Sequence, residues 1–154
     1  MSAHGATIAW RRGDQPFVDK RYSRAHSWTF DGGAVVPGSS APESVPVPMS
    51  DASAVDPEEA MIASLSSCHM LWFLAFAANA GLVVDSYVDE ASGELDRDEA
   101  GKRYLARVTL RPVTVFSGRQ PDQAELDALH HQAHDHCEMA HSVRATITIE
   151  ATIG

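Results

Sequence analysis

The sequence predicts an α+β fold, and three features of its patterning support that class. Alternating apolar and polar residues over Val143–Ile153 predict a strand near the end of the chain. A long apolar run after Asp56-Pro57 predicts one helix, and a second helical pattern follows Asp122. Strand patterns before, between and after these helices favour antiparallel sheets packed against helices.

Length and charge indicate how many domains the chain has and which partners it does not bind. Its 154 residues with 44% hydrophobic composition predict a single domain over residues 1–154 with a real core. The 21 acidic residues outnumber 12 Lys and Arg, which gives a net charge of −9. Such a surface repels phosphate backbones and anionic lipids, so neither nucleic acid nor a membrane is an expected partner.

The N-terminal residues and the cysteine content indicate a cellular location. Residues 1–5 lack the basic start and apolar run of a secretory signal, so the cytoplasm is expected. Two cysteines are too few for a disulfide framework in a reducing compartment. They are either buried thiols or a redox pair, and composition leaves both interpretations open.

The first third of the chain predicts short strands and loops. Thr7–Trp10 and His26–Phe30 are rich in β-favouring residues, and Asp31-Gly32-Gly33 predicts a turn. Residues 37–57 are rich in Pro, Ser and Ala, which favours an irregular connecting segment on the surface.

The long helix is predicted to run from Pro57 to about Asn79, with Gly81 ending it. Its apolar run is nearly long enough to span a bilayer, but it contains several serines and a histidine, so a buried core helix is favoured. The helix is apolar on almost every face, and a chain this small can hardly enclose it alone. We therefore expect an oligomer.

The second half predicts a strand pair, Val83–Glu94 with Tyr104–Phe116, in which Pro112 marks an edge or a bend. A helix then opens at Asp122 with a capping-box pattern. Helical spacing of its apolar residues predicts that this helix continues through Cys137 to Ala140 and that Cys137 faces inward.

The residues alone leave the role of the cysteines open. Cys68 lies mid-helix and can be a small core residue or a reactive thiol. His69 points about 100° away around the helix, so a hydrogen-bonded or a dimer-facing histidine is expected rather than a base for Cys68. A zinc site is an alternative, since His130, His134 and Cys137 share one helical face, although no fourth ligand is visible.

Three stretches carry a resemblance to a known family. Asp56-Pro57-Glu58 stands ten residues before Cys68, a second cysteine lies at Cys137 near a helix end, and Arg24 precedes the Asp31-Gly32 turn by seven residues. This arrangement resembles the OsmC/Ohr family of thiol-dependent hydroperoxide reductases. Three positions depart from the family pattern: Glu138 replaces a proline found in many members, and Tyr22-Ser23 replaces Gly-Gly.

The resemblance implies an enzyme, a thiol peroxidase that reduces organic hydroperoxides, and also hydrogen peroxide, to alcohols or water without a cofactor or metal. Cys68 would become a sulfenic acid, Cys137 would resolve it as a disulfide, and an external dithiol such as a lipoyl group would reduce that disulfide. A peroxidatic thiol needs a nearby cation to populate its thiolate, and Arg24 would supply the charge while Glu58 anchors the arginine. Arg21 and the Arg11-Arg12 pair are alternatives to Arg24. Since ten helical residues span roughly 15 Å, Glu58 and Cys68 cannot touch in one straight helix.

The same resemblance implies an OsmC-like fold, with antiparallel sheets wrapped around central helices in an intertwined homodimer and active sites at its interface. The main alternative from another class is a dimeric binding or stress protein of this fold, with inert cysteines. A zinc-binding protein is the third interpretation.

Overall fold

Three three-stranded sheets and three helices make up the chain, which the computed structural model describes over residues 1–154. This mixture of sheets and helices confirms the predicted α+β class. The chain separates into two units, Met1–Ala60 and Met61–Gly154, and the division falls in the first turn of the long helix.

The first unit contains an antiparallel sheet of order β1-β2-β3. The predicted strands are present as β1 (Ala6–Ala9) and β2 (His26–Phe30). A third strand, β3 (Val35–Gly38), was not predicted, because its Pro37 was assigned to the connecting segment. Proline lacks an N–H and is tolerated on a strand at the edge of a sheet, which is the place of β3.

Helix α1 spans Pro57–Asn79, the bounds that the sequence predicts. The Asp56 carboxylate accepts from the Glu59 N–H at 2.8 Å, and Glu59 Oε2 accepts from the Asp56 N–H at 3.1 Å. This reciprocal capping box satisfies donors that the first turn leaves free. Gly81 ends the helix in the left-handed region, with φ of +74°.

Only one stripe of α1 is buried within the chain. The stripe follows the four-residue spacing of one helix face and consists of Leu65, His69, Phe73 and Ala77. Other faces expose large apolar side chains, and Leu71 is 61% exposed. By length and composition α1 is capable of crossing a membrane, with 22% of its most apolar stretch buried. Its polar Ser66 donates to the Asp89 carboxylate, as expected of a helix packed against protein.

The second unit has two sheets where one strand pair was predicted. One sheet has the order β4-β7-β9 and the other β5-β6-β8. The strands are β4 (Val83–Asp89), β5 (Ser92–Arg97), β6 (Arg103–Leu110), β7 (Pro112–Ser117), β8 (Thr146–Ile149) and β9 (Thr152–Ile153). Each long predicted strand is thus wrong in extent, because it is broken once and divided between the two sheets.

The break between β6 and β7 follows from two backbone positions that donate no hydrogen bond to the sheet. Asp89 Oδ1 accepts the Arg111 N–H at 2.6 Å, and Pro112 has no N–H, so two consecutive donors are absent from the ladder. The last predicted strand is likewise divided, and β8 and β9 pair parallel with β6 and β7. A parallel pairing requires a long crossover, which the intervening helices provide.

The second predicted helix is also interrupted. Helix α2 spans Gln123–His136 and helix α3 spans Glu138–His141. Between them Cys137 has an extended backbone, with φ of −73° and ψ of 108°, so the prediction of one continuous helix was wrong. The Asp122 cap is present, since its carboxylate accepts the Glu125 N–H at 2.8 Å.

Candidate active site

The two cysteines come together in the second unit. Cys68 lies in the middle of α1 and is half-buried, whereas Cys137 is only 1% exposed in the extended residue between α2 and α3. Both thiols are free, and they are close enough to interact directly. Residues 69 positions apart in sequence are therefore neighbours in the fold.

Burial separates the two thiols chemically. It raises the pKa of Cys137 to about 11, and the interaction with Cys68 acts in the same direction. Cys137 therefore stays a thiol at neutral pH, shielded from solvent. Cys68 is the partner that a small molecule can reach, so the arrangement suits Cys68 to react first and Cys137 to react with its product.

Glu138 contacts the reactive side of this pair. Its Oε2 accepts from Cys68 Sγ at 3.5 Å and from Trp72 Nε1 at 3.1 Å. The Trp72 hydrogen bond is the largest cause that lowers the pKa of the Glu138 carboxyl, so the group is ionised at neutral pH. Sequence reasoning did not assign this residue to the site. The available signal was the carboxylate that replaces a proline directly after Cys137.

His130 of α2 is used in core packing rather than in a metal cluster. His130 contacts His69 through a ring-to-ring hydrogen bond, so His69 is the hydrogen-bonded histidine of the two predicted alternatives. His134 lines a small enclosed space together with His69 and Cys137. No group of three or more His, Cys, Asp or Glu side chains in residues 1–154 is placed to hold a metal ion. The structure gives no support to the zinc alternative.

A groove of about 550 Å³ lies in the first unit, and both Arg24 and Glu58 line it. Its apolar wall is an aromatic cluster of Trp10, Phe17 and Tyr22, with Phe17 and Tyr22 stacked at 4.7 Å between ring centroids. The volume lies in the range of small-molecule sites, and an apolar lining with few polar groups is typical of them.

Arg24 is held by its own loop. Its guanidinium lies 3.9 Å from the Tyr22 ring centroid, and Nη1 donates to the carbonyl oxygens of Tyr22 and, at 2.8 Å, Lys20. Arg24 and Glu58 form no ion pair in the structure, although they share the groove. Anchoring of Arg24 by Glu58 therefore stays a prediction.

His26 forms part of the polar wall of the groove, and its neighbours fix its tautomer. Trp28 Nε1 can only donate, so His26 Nε2 accepts at 2.7 Å. The proton of the neutral ring is then on Nδ1, which donates to the Arg24 carbonyl at 2.7 Å. Gly38 on β3 passes directly over these two rings. The hydrogen-bonded chain connects β2 to the backbone of Arg24.

Comparisons with known proteins agree with this fold. A family model described as OsmC-like protein matches residues 50–152. The structure of an OsmC-like protein of unknown function from Vibrio cholerae O1 biovar eltor str. N16961 superposes with a TM-score of 0.96 at 46% identity, covering 99% of this chain and 100% of the other. No curated protein matches the sequence.

More distant structures share the fold at low identity. An organic hydroperoxide resistance protein from Elizabethkingia anophelis has a TM-score of 0.72 at 17% identity, covering 100% of this chain and 96% of the other. Another, from Bacillus subtilis, has a TM-score of 0.67 at 18% identity, covering 99% and 98%. The family model over residues 50–152 and the 46% identity with the Vibrio cholerae protein show that this chain belongs to the OsmC-like family.

Proposed function

We propose that this chain is a cysteine-based peroxidase that reduces organic hydroperoxides to alcohols. The observation that carries the proposal is that a half-buried Cys68 on α1 interacts with a buried Cys137 between α2 and α3. Two interacting thiols, one accessible and one buried, are suited to form a disulfide once the accessible thiol has been oxidised. Relatives of the same fold are named organic hydroperoxide resistance proteins, which supports this class of substrate.

In the first step the Cys68 thiolate attacks the outer oxygen of the peroxide. An S–O bond forms, the O–O bond breaks, and the departing alkoxide takes up a proton to become the alcohol. Sulfur is oxidised to a sulfenic acid. Because Trp72 lies one helical turn after Cys68 on the same face of α1, an apolar peroxide would find apolar surface beside the reacting sulfur.

In the second step the Cys137 thiol attacks the sulfenic sulfur of Cys68. The S–S bond forms and the S–O bond breaks, and the hydroxyl leaves as water with the thiol proton. The raised pKa of Cys137 keeps this thiol protonated and thus unreactive towards the peroxide. Cys137 therefore reacts only after Cys68 has been oxidised to a sulfenic acid. An external dithiol then reduces the disulfide and becomes oxidised itself. This step requires a reducing compartment, for which we propose the cytoplasm.

Arg24 and Glu58 are proposed to serve this chemistry from the groove of the first unit. A guanidinium carries a permanent charge and offers several donors, so one edge can meet a thiolate while another meets a carboxylate. The stacked aromatic residues of the groove would hold the apolar part of the peroxide. In this proposal Arg24 leaves its own loop carbonyls when it engages Glu58.

We further propose that the chain is a homodimer. Helix α1 exposes apolar side chains on the faces that the chain does not cover, including Leu71 and Met61. Monomeric proteins rarely leave such a surface in water, and a second copy of the chain would cover it.

The proposal is tested by peroxide consumption with dithiothreitol as reductant. Cumene hydroperoxide is supplied to the wild type, Cys68→Ser and Cys137→Ser, and its loss is followed over time. We expect turnover in the wild type and none in Cys68→Ser. In a separate reaction without dithiothreitol, Cys137→Ser should consume one equivalent of peroxide, because its Cys68 still forms a sulfenic acid, which a dimedone probe captures.

Full activity of Cys68→Ser would refute the mechanism. Titration of the native wild type with a thiol reagent separates the enzyme from an inert binding protein of the same fold. One fast thiol at pH 7 supports the enzyme, whereas two unreactive thiols support the binding protein.

A further inference from the structure

We propose that Glu138 is a positioning residue that holds Cys68 in its thiol form and thereby restrains the first step of the reaction. Glu138 Oε2 lies 3.5 Å from Cys68 Sγ and accepts its S–H. The effect of Glu138 on the Cys68 thiol does not depend on peroxidase activity. Its effect on the reaction rests on the proposed function.

The carboxylate is fixed in this place by a second donor. Trp72 Nε1 is 3.1 Å from the same Oε2, and Trp72 lies one helical turn after Cys68 on α1. Glu138 begins the short helix α3 directly after the extended residue Cys137. The interruption between α2 and α3 therefore places one carboxylate oxygen against both side chains of α1.

The charges around the pair favour an ionised Glu138. In the second unit the titratable neighbours of the two groups are Cys137, which interacts with Cys68, and His136, whose charge favours the Glu138 anion. The pKa of the Glu138 carboxyl is lowered by the Trp72 N–H, by its own backbone N–H, by the hydrogen bond from Cys68 and by His136. No lysine or arginine forms an ion pair with Glu138, so its negative charge is uncompensated by a fixed cation.

An ionised carboxylate at this distance favours one protonation state of Cys68 over the other. The thiol donates a hydrogen bond to it, whereas the thiolate has no proton to donate and carries a like charge. Two like charges about 4 Å apart in a water-exposed setting change an equilibrium by about fivefold. Glu138 thus opposes the cation that the peroxidase needs, and it lowers the fraction of reactive thiolate at neutral pH.

The experiment measures alkylation of Cys68 by iodoacetamide, a neutral reagent, with no peroxide present. Cys137→Ser is the common background, so that Cys68 is the one cysteine that reacts. In that background Glu138→Gln keeps the size and the acceptor for Trp72 but removes the charge. We expect about fivefold faster alkylation at pH 7, and the rate–pH curve should move to lower pH. The gain should shrink in 1 M salt, which screens exposed charges.

Two variants make the result specific. Glu138→Ala also removes the charge and should accelerate alkylation to a similar degree. Agreement between the two variants would show that the effect does not come from a structural change caused by the Gln side chain. Asp135→Asn removes an exposed carboxylate from α2 and should leave the rate unchanged, since Asp135 pairs with His131 instead.

An unchanged or slower rate in Glu138→Gln, or an equal acceleration in Asp135→Asn, would overturn the proposal. Because the assay contains no peroxide, these outcomes are independent of whether the protein turns over hydroperoxides. If the wild type consumes no peroxide but Glu138→Gln is alkylated faster, the proposed function is wrong and the role of Glu138 still holds.

Discussion

His69 Nε2 and His130 Nδ1 are 2.9 Å apart in the core of the second unit. Their rings are parallel within 3°, with centroids 5.2 Å apart, and Phe73 stacks on His130 at 4.1 Å. Burial lowers the pKa of His69 to about 4 and that of His130 to about 3, and for His130 the neighbouring His69 adds to the effect. Both rings are neutral at pH 7, and the pair connects α1 to α2.

Stability should therefore fall as the pH is lowered. An unfolded histidine takes up its proton near pH 6.5, whereas the folded pair resists protonation until about pH 4. Between these values the unfolded state binds more protons, so the free energy of unfolding should decrease by about 2 kcal/mol or more from pH 7 to pH 5. Urea denaturation at several pH values measures this change.

A double variant isolates the pair. His69→Leu with His130→Leu removes both buried rings together, so neither is left unpaired. Its stability should depend much less on pH in that interval than the wild type. His131→Gln, at an exposed histidine of α2, is the matched control and should keep the wild-type dependence. Identical pH dependence in the double variant and the wild type would contradict the assignment.

Replacement of Arg24 tests the proposed source of positive charge. Arg24→Ala should slow iodoacetamide alkylation of Cys68 at pH 7 by roughly threefold to tenfold, and Arg24→Lys should retain part of the rate because it keeps the charge. Arg21→Ala is the control, since Arg21 does not line the groove. If Arg21→Ala slows the reaction and Arg24→Ala does not, the role belongs to Arg21.

The exposed face of α1 predicts a dimer. Light scattering coupled to size-exclusion chromatography should give about twice the mass of the 16.6 kDa chain. Leu71→Asp places a charge on the exposed apolar face and should shift the population towards monomer, whereas the volume-conserving Leu71→Met should not. A monomeric wild type would reject the homodimer.

Gly38 offers a test of the groove wall. A Cβ at this position would lie 2.5 Å from His26 Nε2 and 2.6 Å from Trp28 Nε1, the two atoms that share a hydrogen bond. Gly38→Ala should therefore destabilise the protein by about 1–3 kcal/mol in urea denaturation. Gly32→Ala is the control, because no atom lies within 4 Å of the place that a Cβ would take at Gly32. Equal stabilities of the two variants would show that the contact is not maintained.

Local signals made part of the fold predictable. The bounds of α1 follow from groups adjacent in sequence, namely the capping box at Asp56 and the glycine at Gly81. The division of the second long strand did not follow from periodicity, because the alternation from Tyr104 to Leu110 continues to Pro112 across Arg111, although Pro112 did indicate an edge or a bend. There the deciding interaction joins residues 22 positions apart, which a local pattern cannot encode.

The candidate site was predictable to a similar degree. Helical spacing indicated that Cys137 faces inward, and it is buried. The same spacing did not indicate that Cys137 lies between two helices. The spacing of apolar side chains carries no information on a single residue whose ψ is extended rather than helical. The contact between Glu138 and Cys68 depends on that interruption, so it became visible only in three dimensions.

The position of Cys137 outside both helices has a practical consequence. A disulfide with Cys68 would change the backbone at Cys137, which is already extended, and would not break a turn of α2 or α3. Oxidation should therefore leave the far-ultraviolet circular dichroism unchanged. Trp72, whose indole N–H is bonded to the carboxylate beside Cys68, would instead experience the change in charge and polarity. The protein thus carries its own fluorescent reporter, with which the redox cycle can be followed in real time without a label.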